Sequence, residues 1–288
     1  MSNLKGALLT DRTVVTASGP DAEGFLQGLV TADVAAIGES QGRLAAILSP
    51  QGKVLFDFLL VRREGGFVID CRADMAADLV KRLGFYKLRA KVELADAGDS
   101  LGVIALWGDE LPPIEGAFAD PRHRGMGLRV LAGSGDGEAA LRAVGAQIVP
   151  LAAYHAHRVH VGVGEGGADF VLGDTFPHEA NMDLFGGVSF SKGCYVGQEV
   201  VSRMEHRGTA RTRLVAVRLG GEAAAGSEIT AGGKAIGRLG SVAGEEALAL
   251  LRLDRAGEVM EQGDKLSAGG AQVSPRDGGT FEPAGGAN

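Results

Sequence analysis

Residues 189–213 read Ser189-Phe-Ser-Lys192-Gly193-Cys194-Tyr195-Val-Gly197-Gln198-Glu199-Val-Val-Ser-Arg203-Met-Glu-His-Arg207-Gly-Thr-Ala-Arg211-Thr-Arg213. The stretch crowds a thiol, an amine, an amide, a carboxylate and several arginines together. Gly193 and Gly197 frame Cys194, and glycine serves where another group comes close to the backbone or the chain turns sharply. From Gln198 the pattern predicts a short helix with Val200, Val201 and Met204 on its apolar side. Cys194 then lies just ahead of a helix N-terminus and beside Lys192, and both features favour the thiolate. A cytosolic cysteine is most often a small buried hydrophobe; polar, glycine-flanked neighbours favour a site here.

Beyond residue 208 the character changes. Short apolar stretches at 214–219, 235–239 and 247–253 alternate with glycine turns, which predicts a small β-barrel over residues 208–273. The Gly- and Pro-containing residues 274–288 are expected to form a loose tail.

Upstream, residues 1–207 mix strands and helices without the regular beat of a doubly wound sheet, so the fold class is α+β. Strand pattern near residues 7–15 breaks at Asp11-Arg12. Ser18-Gly-Pro20-Asp21 opens a helix with Phe25, Leu26 and Leu29 at helical spacing. Gln27, Gly28, Thr31 and Asp33 follow it as a polar group able to line a pocket or to finish a loop. Two apolar runs flanking Ser49-Pro-Gln-Gly-Lys53 predict a hairpin. A strand is predicted at 67–71, a helix at 73–83 and an alternating strand with a basic outer face at 86–94. Strands at 101–107 and 127–131 and helices at 138–144 and 152–157 complete the reading.

The 288 residues predict two or three domains, with 45% apolar and 23% charged residues typical of a soluble globular chain. The formal charge of −7 argues against general nucleic-acid binding. Residues 192–218 nevertheless carry six basic residues against two acidic ones, which suits an anionic ligand as well as a solvated face. An RNA-binding role for Arg203, Arg207, Arg211 and Arg213 is opposed by the acidic total and by few aromatics for stacking. Two cysteines, Cys71 and Cys194, exclude a disulfide framework and a CxxC zinc site. No apolar run reaches the ~20 residues needed to cross a bilayer, and the first residues lack a signal-peptide core. The expected location is cytoplasmic.

Other chemistries fit less well. Gly162-Val-Gly164-Glu-Gly166-Gly167 matches the dinucleotide fingerprint after the strand-like 159–161, yet no helix pattern follows to hold a pyrophosphate. His155, His157 and His160 would diverge on a helix, so no metal site is assigned. Hydrolase signatures are missing. Asp174, Glu179 and Asp183 precede the cysteine loop, where carboxylates either meet a pterin-like ring edge or cap turns.

The run Phe190-Ser-Lys192-Gly193-Cys194-Tyr195-Val-Gly197-Gln198-Glu199, with Arg203 and Gly208, resembles the signature of the YgfZ/GcvT-like family. Those are folate-binding relatives of the glycine-cleavage T-protein that act in iron–sulfur cluster assembly and repair. Supporting pieces are Phe25-Leu-Gln-Gly28, the 49–53 turn, Tyr86-Lys-Leu-Arg89, Asp120-Pro-Arg122 and Phe176-Pro-His-Glu179 with Asp183. The resemblance implies two intertwined α/β units forming a folate pocket, plus a C-terminal β-barrel. It implies tetrahydrofolate, or a one-carbon derivative, as ligand, and iron–sulfur client or assembly proteins as partners. Cys194 would be the essential thiol, tuned by Lys192. Gly193, Tyr195, Gly197, Gln198, Glu199, Arg203, Glu179 and Asp183 would shape the folate site. The alternative is a folate-dependent aminomethyltransferase. Against it, His160 in Arg158-Val-His160-Val-Gly162 stands where T-protein-like sequences hold the pterin with a glutamate.

Overall fold

The computed structural model describes residues 3–208 and 210–285. The chain begins in one sheet, crosses to a second and returns to the first. β1 (Lys5–Leu8) starts the first sheet, and the turn at Asp11 delivers β2 (Arg12–Ser18) to the second. There α1 (Ala22–Gln27), β3 (Gly42–Leu48), β4 (Val54–Arg63), β5 (Gly66–Arg72), α2 (Ala76–Lys87) and β6 (Glu93–Asp96) follow, giving strand order β3-β4-β5-β2-β6. β7 (Leu101–Trp107), β8 (Phe118–Ala119), β9 (Leu128–Gly133), α3 (Gly137–Ala143) and β10 (Gln147–Ile148) then return to the first sheet, in order β10-β1-β7-β9-β8. The two α/β units are therefore intertwined, as the family resemblance implies.

Both faces of the second sheet are covered, which explains the nearly unbroken apolar character of β4. Phe56, Phe58 and Leu60 join the core shared with Leu79 and Leu83 of α2, while Leu59 and Val61 face the core between the sheets. The α2 residues Ala76, Leu79 and Leu83 fall three and four apart, forming one buried stripe.

α4 (Leu151–Val161) leads through a long loop to α5 (Gln198–Arg207) and then to the barrel. β11 (Thr212–Leu219), β12 (Glu228–Ala231), β13 (Lys234–Ala243), β14 (Glu246–Arg252), α6 (Leu253–Glu261), β15 (Leu266–Ala268) and β16 (Ala271–Pro275) follow. The six strands close as β11-β14-β13-β12-β15-β16, with β11 also pairing with β16.

Four local expectations are corrected. The predicted strand at 86–94 is the end of α2, a turn through Leu88, and β6 only from Glu93. The alternation misled because Leu88, assigned to the buried face, is 90% exposed. Residues 159–161 belong to α4, so the glycine-rich run after them begins at a helix C-cap, with Gly162 left-handed at φ 89°. The barrel carries a helix, α6, whose apolar side is short and anchored by Ala256. The tail is not loose over its described part: Pro283 bridges Val215, Ala284 N–H donates to Leu214 O at 2.8 Å, and Ala284 is buried. Residues 286–288 of that tail lie outside the described residues.

Candidate functional site

Cys194 sits in the loop before α5 with its side chain exposed, whereas Cys71 is buried in β5 and burial pushes its thiol up to about 12. Contacts on either side pin the Cys194 loop. Upstream, Ser189 N–H donates to Thr31 O at 2.9 Å, and Lys192 N–H donates to Ser189 Oγ at 3.2 Å. The Lys192 ammonium donates to Val30 O (2.8 Å) and Ala32 O (2.7 Å). Partial burial brings its pKa down to about 8, although Asp33 opposes this. Lys192 thus holds the loop to residues 30–32, and its amine is engaged there.

Downstream, the Tyr195 ring is buried, and burial raises its phenol to about 12. Its hydroxyl has no hydrogen-bond partner among the described residues. Gln198 Oε1 accepts from Tyr195 N–H at 3.3 Å, tightening the turn into α5. Gly197 caps that helix at φ 82°, where an added Cβ would lie 2.5 Å from Ser49 O and 3.1 Å from Gly52 Cα. A Cβ on Gly193 would meet nothing within 4 Å, so the two glycines differ in kind. Gly197→Ala is expected to lower stability by about 2–3 kcal/mol and Gly193→Ala by less than about 0.5 kcal/mol in urea unfolding. Equal losses would contradict this placement of the loop.

The remaining expected ligand residues do not converge on one pocket. Glu199 and Arg203 pair with each other at 2.6 Å on the solvent side of α5. Glu179 Oε2 accepts from Phe176 N–H at 2.8 Å, a turn cap, and burial raises its pKa. Asp183 is gripped through both oxygens by Arg213, at 2.7 and 2.9 Å, tying the 175–187 loop to β11. Arg203 and Arg213 are therefore committed to carboxylates, which removes half of the proposed RNA-binding arginines.

A cleft of about 530 Å³ does open beside the loop, lined by Ala32, Asp33, Arg43, Val188, Ser189 and Phe190 among others. Asp33, part of the polar group read after α1, accepts from Gln27 Nε2 at 2.9 Å. The cleft offers one carboxylate, one guanidinium and one aromatic edge.

Sequence reasoning missed the buried charge cluster where the two sheets and the barrel meet. Arg12 pairs with Asp70 and with Glu165, the latter at 2.6 Å. Arg129 bridges Asp70 (3.3 Å) and Asp120 (3.2 Å), and Arg122 binds Asp120 at 2.7 Å. Arg158 pairs with Asp169 and donates to Ser241 Oγ of β13 at 2.7 Å. Burial opposes the charge of Glu165, but Arg12 and Arg158 outweigh it and hold its pKa at about 2. Asp57 on β4 faces the same region, accepting from Gly166 N–H at 3.2 Å. Loss of water and the neighbouring Glu165 raise its pKa. The Asp120-Pro-Arg122 and Arg158 motifs were the available signals, since a lone buried arginine demands a partner.

The histidines of α4 diverge: His155 meets Asp11 (2.9 Å), His157 meets Gly125 O (2.7 Å), and His160 meets Glu246 of the barrel (2.9 Å). His160 is thus turned to the barrel surface, where it cannot hold a pterin in the manner of a buried glutamate. Two groups have metal-like spacing, Asp11-His155-Glu165 and His178-Asp183-Glu205. Each has a carboxylate already bound by arginine, which disfavours a cation, and neither is assigned a metal.

Two intertwined α/β units closed by a barrel define the aminomethyltransferase T-protein fold. The crystal structure of glycine cleavage system aminomethyltransferase T from Bartonella henselae matches 98% of this chain and 88% of its own, with TM-score 0.77 at 17% identity. A family model for the CAF17 C-terminal β-barrel domain matches residues 211–279. The mouse mitochondrial iron–sulfur cluster assembly factor IBA57 is 33% identical, covering 85% of this chain and 76% of that protein. The human protein is 33% identical over 84% of this chain and 76% of its own length. An IBA57 homologue from Neurospora crassa is 34% identical over 72% of this chain, which spans about half (52%) of that longer protein. The chain belongs to the YgfZ/GcvT-like family that includes the IBA57 assembly factors. These relatives are named mitochondrial, which overturns the cytoplasmic expectation. Among the described residues no helix is long and apolar enough to cross a membrane.

Proposed function

We propose that this chain serves the assembly or repair of iron–sulfur proteins through the thiol of Cys194. The observation that carries this reading is an exposed thiol on a loop pinned at both ends, in a chain related to iron–sulfur cluster assembly factors. Thiolates are the ligands iron–sulfur clusters use, and a cluster takes several. This chain offers one exposed thiol, so the cluster or its iron is shared with a partner assembly or client protein and passed on. In that reading Lys192 positions the loop, and Gly197 and Tyr195 fix its exit.

Tetrahydrofolate is the proposed small-molecule ligand, placed in the cleft beside the loop. The donor types fit its two polar ends: Asp33 for paired N–H groups of the pterin edge, Arg43 for the glutamate carboxylates. Bound there, folate would supply a one-carbon carrier. Glu199, Arg203, Glu179 and Asp183 have no part in this placement, since none of them lines the cleft.

Calorimetric titration of tetrahydrofolate tests the ligand. Saturable binding is expected, weakened about tenfold or more by Asp33→Ala or Arg43→Ala, the loss of one charge-assisted hydrogen bond. No binding, or binding indifferent to both changes, rejects the folate placement. The assembly reading is tested separately: expression of the chain in cells lacking their own homologue should restore iron–sulfur enzyme activity, and failure to restore it would reject the reading.

A further inference from the structure

Residues 81–91, Lys81-Arg82-Leu-Gly-Phe85-Tyr-Lys87-Leu88-Arg89-Ala-Lys91, hold five cations and no acid in a chain of formal charge −7. They form the end of α2 and the turn into β6, an edge strand of its sheet. Two large apolar side chains stand in solvent there, Phe85 at 66% and Leu88 at 90% exposure. Leu88 follows the helix at φ 42°, a backbone conformation uncommon for a residue other than glycine. Strain spent on holding a leucine in water serves no core.

Beside these residues a groove of about 370 Å³ runs between Phe56, Asp78, Lys81, Arg82 and Phe85. Among the described residues none of the five cations lies within 4.0 Å of a carboxylate. Arg62, Arg72, Arg142, Arg203, Arg252 and Arg255 all find such partners at the surface. Unpaired like charges around exposed apolar side chains mark an interaction surface, since an apolar anchor and a charged rim divide the work of affinity and steering.

We propose that the end of α2 docks an acidic protein segment that inserts an apolar side chain between Phe56 and Phe85. Its carboxylates meet Lys87, Arg89 and Lys91 at the rim. The concavity favours a protein over a bilayer, whose surface cannot enter a slot. Phe85 offers a single exposed ring at this groove, so nucleic acid gains little stacking. Val196, two residues past Cys194, packs against the same core as Phe56 and Tyr86. A partner seated here therefore stays on the lobe that carries the thiol loop.

The test uses the whole chain and two fluorescein-labelled helical peptides sharing Leu and Phe anchors, one with glutamate and one with lysine at the remaining positions. Fluorescence anisotropy should show binding of the glutamate peptide alone, weakening as salt rises. Phe85→Ser should weaken it at least tenfold, and Arg89→Glu with Lys91→Glu at least tenfold, with melting temperatures unchanged because these side chains are exposed. Equal binding of both peptides, or indifference to these substitutions, would overturn the proposal. So would tighter binding of phosphatidylserine vesicles or single-stranded RNA that the same substitutions abolish.

Discussion

Exchanging Cys194 for alanine is expected to leave the protein folded and to abolish its restoration of iron–sulfur enzyme activity in cells lacking their own homologue. The thiol is exposed, so its removal opens no cavity, and surface changes of this kind usually move stability by less than about 0.5 kcal/mol. The loop keeps its shape without sulfur, because Lys192, Ser189 and Tyr195 hold it through other atoms. Cys71→Ala should do the reverse, lowering stability through lost packing while preserving restoration. Full restoration by the Cys194→Ala protein would remove the thiol from the function.

The largest effect on stability is expected from Asp120→Ala. Asp120 is buried and receives Arg122 at 2.7 and 2.9 Å and Arg129 at 3.2 Å. Its pKa is depressed: burial opposes the charge, but Arg122 and Arg129 outweigh it. Truncation leaves the buried Arg122 guanidinium without a carboxylate and Arg129 with Asp70 alone, and breaking a buried pair from one side costs about 3–5 kcal/mol. For a chain of this size that is a melting-temperature drop of roughly 10 °C. The same cluster sets the acid limit. Glu165 titrates near 2 in the folded protein, below its usual 4.5, so the unfolded chain binds its proton first. The stabilisation is complete above about pH 4.5 and is lost as pH falls toward 2. Glu199→Ala, removing an exposed pair, should change neither quantity. A melting drop of under about 2 °C for Asp120→Ala would contradict the network.

The architecture was legible where hydrophobic period and turn chemistry agreed. The β3-β4 hairpin around Ser49-Pro50-Gln51-Gly52-Lys53, the barrel strands β11, β13 and β14, and α5 after Gly197 all appear where their patterns place them. The reading failed where a pattern admits two answers. Tyr86, Leu88 and Ala90 alternate like a strand, yet helix α2 runs on to Lys87. Likewise α6 hides in a barrel sequence because Ala256 is the only residue of that helix that is fully buried.

The cysteine loop was legible from its own composition, but its supposed ligand residues were not. Glu199 and Arg203 are four apart on a helix, a spacing that predicts their mutual pair, and Asp183 finds Arg213 only through the fold. The central network stayed hidden for the same reason. Arg12, Asp70, Arg129 and Arg158 come from β2, β5, β9 and α4, with Asp120, Glu165 and Asp169 on loops, and beyond the local Asp120-Pro-Arg122 pair little in the sequence announces that they meet.

The most direct measurement is timed alkylation of the native protein with iodoacetamide, followed by mass spectrometry of both cysteine peptides. Cys194 should be modified rapidly at neutral pH, with Cys71 protected until the protein is unfolded. A Cys194 as resistant as Cys71 in the native protein would contradict the claim that this fold presents its thiol to a partner.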